Sequence, residues 1–181
     1  MYWPTKGAHN TSETVKLALQ RARELNLKHL VVASNTGTTA EKFLGNNLEV
    51  VCVTHHAGYA GPGKDEMEPE FRQRLQEQGV KILTTTHLLA GVDRSLRAEF
   101  KGIYPAEIIA MSLRMLGQGL KVCVEISVMA LDSGLIPYGE EIVAVGGTSR
   151  GADTACIIVP DHSRAFFNTV VKEIICMPRE K

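Results

Sequence analysis

Apolar residues in this chain fall into short β-branched runs separated by stretches of helical periodicity. The runs at 29–33 (HLVVA), 48–53 (LEVVCV), 80–83 and 120–126 (LKVCVEI) have the length and composition of buried strands. Three more follow at 141–145, 155–159 and 170–176. Residues 11–25 carry a helical stripe behind a hydroxyl N-cap, and 69–78 form a polar helix closed by Gly79. Residues 88–101 read as partly helical, 104–116 as a helix with Pro105 at its start and Gly117 after its end, and 127–133 as a short helix. Residues 1–10 show no periodicity and read as an ordered arm or loop.

Helix and strand alternate through the first two thirds of the chain. That pattern predicts one α/β domain over 1–181, a three-layer α/β/α with a mostly parallel sheet. The strands at 141–145 and 155–159 are separated by a glycine-rich loop alone, so they form an antiparallel hairpin, and the C-terminal strands are antiparallel edge strands. An open edge leaves room for a homo-oligomer.

Ligands of such sheets bind outside the carboxyl ends of the strands. Four loops follow strands here. The first, Ser34, Asn35, Thr36, Gly37, Thr38 and Thr39, runs from a strand into 41–44, the expected first turn of a helix. Unpaired amides at a helix start, up to four side-chain hydroxyls and a flexible glycine suit a phosphate group. The same residues also make an ordinary capped helix. The second loop carries His55 and His56 among three glycines, a proline and Tyr59, and the third is Thr84-Thr85-Thr86-His87. The fourth contains Gly146, Gly147, Thr148, Ser149 and Arg150. Its glycines permit close approach of a ligand, and Arg150 suits bidentate contact with an anion, or the whole is a hairpin connection. Met129, in an apolar run, is either core or a flat wall for a ring system.

Twenty basic and twenty acidic residues cancel, so no concentrated positive face points to nucleic acid or an anionic membrane. No apolar run approaches the roughly 20 residues of a membrane span. Cys52, Cys123, Cys156 and Cys176 sit in apolar runs without a CxxC pair, which fits free thiols in a reducing, cytoplasmic setting. His55 and His56 are adjacent and diverge on an extended backbone, and no ligand spacing stands out, so no metal is expected. No GxSxG, GxxxxGK[ST] or GxGxxG is present, and no residue is assigned a catalytic role. Glu125, Asp132 and Asp153 read equally as ligand contacts or as structural residues.

Taken together, these loops resemble the C-terminal α/β domain of pyruvate kinase. The likeness rests on the Ser/Thr/Gly loop, on GLIPYGEEIV at 134–143 and on the GGTSRGADT connection that follows. The chain is closer still to small stand-alone archaeal proteins of that fold, through KHLVVAS at 28–34, GLKVCVEI at 119–126, AVGGTSRGADTA at 144–155 and KEIICMPR at 172–179. That resemblance implies flavin mononucleotide (FMN) as the ligand, its phosphate on Ser34, Thr36, Gly37, Thr38 and Thr39. The loops at 54–58 and 146–153, with 129–133, would surround the ribityl chain and ring. It implies a binder of a phosphorylated small molecule, in one form a flavin-dependent oxidoreductase; the alternative is a non-catalytic sugar-phosphate or nucleotide sensor. Fold likeness alone does not make the chain a kinase.

Overall fold

The computed structural model of the protein describes residues 1–180. Seven strands form one sheet in the order β1-β7-β6-β5-β2-β3-β4. They are β1 (Tyr2–Trp3), β2 (His29–Ala33), β3 (Glu49–Val53), β4 (Lys81–Leu83), β5 (Ile142–Gly146), β6 (Thr154–Val159) and β7 (Val170–Pro178). The helices are α1 (Thr11–Glu24), α2 (Pro69–Glu77), α3 (Gly91–Phe100), α4 (Pro105–Arg114) and α5 (Gln118–Asp132). Strand β2 lies parallel to β3 and β5, and β3 parallel to β4. β6 runs antiparallel to both β5 and β7.

The period of two along β2 divides the core. Leu30 and Val32 join one apolar cluster with Ala18 and Ala22 of α1 and Leu75 of α2. Val31 joins the other, with Leu120, Cys123, Val124 and Leu131 of α5. The mostly parallel three-layer α/β/α expectation is met, and the hairpin at β5–β6 is antiparallel as the short connection requires.

Three expectations need correction. Residues 120–126, read as a strand, lie inside α5, which continues through the segment read as a separate helix. β-branched runs fit a strand by composition, but this helix is buried nearly all round, and packing on two sides overrides propensity. The seventh strand is instead β1, two residues of the N-terminal arm paired parallel to the end of β7. Trp3 anchors it, buried in the first cluster with its indole N–H donated to the Asp153 carbonyl at 2.7 Å. β7 is therefore not an edge; the edges are β1 and the three-residue β4. Finally, the turn after the first loop is a single 3-10 turn over Ala40–Phe43, not the start of an α-helix.

The cysteines are free and buried, Cys123 in α5 and the other three in strands. Burial pushes the Cys52 thiol up to about 12 and Cys176 to about 11, which leaves no thiolate for chemistry. Among the described residues, no helix is long and apolar enough to cross a membrane.

Candidate functional site

A cleft of about 820 Å³ opens at the carboxyl ends of the parallel strands, and all four loops contribute to it. Its size lies in the roughly 300–1,000 Å³ range of small-molecule sites.

The first loop is built from inside by Ser34. Its N–H extends the ladder to Val53 O (3.0 Å), and its buried Oγ accepts the Thr39 N–H at 3.1 Å. Gly37 turns the chain at φ +84°, and a Cβ there would lie 2.7 Å from the Phe71 ring of α2. Gly37 therefore faces α2 rather than the cleft, and its freedom serves the turn. With Ser34, Gly37 and Thr39 committed, the N–H groups of Asn35, Thr36 and Thr38 donate to no acceptor among the described residues. The Thr36 and Thr38 hydroxyls, 3.2 Å apart, stand exposed beside them. A 3-10 turn supplies no appreciable macrodipole, so any anion affinity here rests on loop amides and hydroxyls.

The second wall begins where β3 ends. The His55 N–H donates to Asn35 Oδ1 at 3.2 Å, and its Nε2 lies 3.3 Å from Asn35 Nδ2. Its Nδ1 lies 2.5 Å from Glu66 Oε2, which fixes the ring. The imidazole stacks on Tyr59 with centroids 3.7 Å apart, and the His87 ring is 5.3 Å away. Burial holds the His87 pKa below the ordinary imidazole value, so this ring is neutral at neutral pH. The Arg94 guanidinium sits 5.9 Å from the Tyr59 centroid. His56 does not line the cleft; its Nδ1 lies 2.9 Å from the Ala57 carbonyl, and its edge meets Tyr59.

The loop at 146–153 is organised by Asp153, which is fully buried. Its carboxylate accepts N–H groups from Gly7 (3.0 Å) and Thr148 (3.2 Å) and the Thr154 hydroxyl (2.8 Å). Asp153 is thus structural and ties the N-terminal arm beneath the loop. A Cβ at Gly146 would lie 2.6 Å from the Gly119 carbonyl, and one at Gly147 would lie 2.6 Å from the Gly151 carbonyl. The close approach that these glycines permit is to the chain's own backbone. Ser149 takes φ +69°, a left-handed conformation uncommon outside glycine. The N–H groups of Ser149, Arg150 and Gly151 donate to no acceptor among the described residues, and the Arg150 side chain is exposed at the rim.

From the sequence-predicted set, Ser34, Asn35, Thr36, Thr38 and Thr39 line the cleft, as do His55, Gly147, Ser149 and Arg150. Gly37, His56, Gly146 and Thr148 stand beside it. Met129 is buried in the second core cluster. Sequence reasoning left Glu125 evenly between ligand contact and structural residue and passed over Lys121; on α5, which makes the floor, the two are both buried, ion-paired to each other, and line the cleft. Glu125 Oε1 also accepts the Leu89 N–H at 2.8 Å. The signal was available as a Lys and a Glu four apart within an apolar run, a helical spacing. Reading the run as a strand hid it. Arg97 and Arg114 on α3 and α4 close the far side; Arg97 pairs with Glu107 at 2.8 Å.

A model of the family described as "Pyruvate kinase, alpha/beta domain" matches residues 12–158. Among solved structures, Cryptosporidium parvum pyruvate kinase in complex with ADP is 18% identical with a TM-score of 0.42, over 84% of this chain and 24% of that one. A second crystal structure of pyruvate kinase from that organism gives 18% identity and a TM-score of 0.41, over 84% and 23%. NAD+ synthetase from Burkholderia pseudomallei is 15% identical with a TM-score of 0.36, over 84% and 69%. The chain spans about a quarter of the length of the pyruvate kinase chains it matches.

Proposed function

This chain belongs to the pyruvate kinase alpha/beta domain family, and from that premise and the cleft we propose that it binds a phosphorylated small molecule at the carboxyl ends of its parallel strands. The observation that carries the proposal is the set of three uncommitted amides, Asn35, Thr36 and Thr38, flanked by two exposed threonine hydroxyls at the cleft rim. A phosphate monoester offers acceptor oxygens to all of them, and charge-assisted hydrogen bonds are the strong kind.

FMN is the leading candidate. The residues present fit it: phosphate-friendly donors on one loop, and a stacked His55–Tyr59 pair with neutral His87 as a surface for a planar ring. When bound, the flavin would supply redox chemistry, while the protein orients it and shields it from water. Thr36, Thr38 and the loop amides would hold the phosphate, and Arg150 from the opposite loop would add charge. A second reading, a sugar-phosphate or nucleotide sensor without chemistry, is favoured by the arginines at 94, 97, 114 and 150, which together suit more than one anionic group.

The purified protein's absorbance, and the mass of whatever small molecule denaturation releases, test the flavin reading directly. Titration calorimetry with FMN tests the loop: Thr36→Val with Thr38→Val is expected to weaken affinity by roughly tenfold or more, from the loss of two hydrogen bonds to a charged group. A sensor is colourless and gains thermal stability with a sugar phosphate. Unchanged affinity in the double variant would remove the loop from the site.

A further inference from the structure

The cleft is zoned by charge. Its rim carries the exposed Arg150 guanidinium and uncommitted loop amides, and these suit an anion. Its floor carries a neutral combination, one buried ammonium and one buried carboxylate one turn apart on α5. A buried ion pair is expensive to desolvate and often no more stabilising than apolar residues of the same volume. Here it also lines a ligand-sized space. The pair is not saturated. Lys121 has three donors, and among the described residues its Nζ meets one acceptor, Glu125 Oε2. The carboxylate retains acceptor capacity beyond Lys121 and the Leu89 N–H. The rings of His87, His55 and Tyr59, clustered together, line the same cleft.

Resting on the phosphate reading above, we propose that Lys121 and Glu125 read the polar edge of a planar nitrogen heterocycle. Lys121 donates to a ring carbonyl, and Glu125 accepts from the adjacent ring N–H. The ligand class is then a phosphorylated compound with a lactam or imide edge, such as a nucleotide or a flavin nucleotide, and not a plain sugar phosphate. A sugar phosphate would leave the floor's spare donors and acceptors desolvated and unpaired, which sites built to hydrogen-bond penalise heavily. The rim does not discriminate between these ligands, because all of them carry the phosphate.

Calorimetry on the full chain with three probes tests this: FMN, uridine monophosphate and ribose 5-phosphate. The expected result is that at least one of the first two binds roughly tenfold or more tighter than ribose 5-phosphate, and which one does so identifies the ring. In Lys121→Met/Glu125→Leu, which keeps volume and removes both charges together, that advantage collapses toward the ribose 5-phosphate value. Lys121→Met/Glu125→Gln, which also removes both charges together and keeps a polar side chain at 125, serves as a second variant if the first melts early; it too should narrow the preference. Equal affinity of the wild type for all three probes, or a preference retained in both variants, overturns the assignment. Failure of ribose 5-phosphate, and of inorganic phosphate titrated as a control, to bind at all, with FMN still bound, overturns the phosphate reading. If none of the ligands binds, both readings fall.

Discussion

Helices α5 and α3 border the same cleft and are opposite in kind. Twelve of the fifteen residues of α5 are buried, while α3 buries none of its ten. α5 is held between the sheet and α4, and its contacts with β2, β5 and β6 lock it to the strands that carry the loops. α3 is amphipathic, yet Val92 and Phe100 remain largely exposed. The floor of the site is therefore part of the core, and one wall is not. Segments with few buried apolar contacts open at low free-energy cost, whereas core elements open only with the whole molecule. The comparison assigns recognition that demands precision to α5, and access to α3.

The largest expected effect that would break this comparison is at the floor. Lys121→Ala leaves Glu125 buried and uncompensated, and should cost about 3–5 kcal/mol in urea denaturation, far more than the paired replacement of both residues. Leu120→Ala, at a position 2% exposed, should cost about 2–5 kcal/mol through lost contacts and a cavity. If either were near-neutral, α5 would not be the rigid member.

A smaller effect is electrostatic. Burial depresses the His87 pKa, so the folded state resists the proton that the unfolded state accepts. The stability associated with neutral His87 is intact above the ordinary imidazole pKa of about 6.5 and is lost as pH falls below it. His87→Gln should flatten that acid-side loss when midpoints are compared across pH. The smallest effect belongs to α3: Phe100→Ser should change stability by no more than about 0.5 kcal/mol. Its amides should also exchange with solvent well before those of α5, a difference hydrogen-exchange mass spectrometry would resolve. Matching exchange in both helices would erase the distinction.

Several features of the site were legible from residues alone. The hydroxyl loop was marked by small donors and a glycine at the end of a buried run. His55 was marked by its place at a strand end. Arg150 was marked by glycines and hydroxyls around it. Other features were not legible for reasons of geometry. Gly146 and Gly147 read as points of ligand approach because a sequence shows that a Cβ is absent, not what occupies the space; the Gly119 carbonyl of α5 and the loop's own Gly151 carbonyl occupy it. Asp153 looked as much a ligand contact as a turn residue, and three internal donors decided the matter. Glu66 could not be tied to His55 across a long loop without coordinates.

The amino-acid order by itself determined the α/β class, the parallel sheet, the C-terminal hairpin and the strand-end position of the loops. These follow from local periodicity and connection length, which act over a few residues at a time. Tertiary structure alone decided that 120–126 coil rather than extend, that Tyr2 and Trp3 complete the sheet, and that a lysine and a glutamate form the floor of the cleft. In each case the deciding term is burial against residues distant in the chain, and burial is a property of the assembled layers.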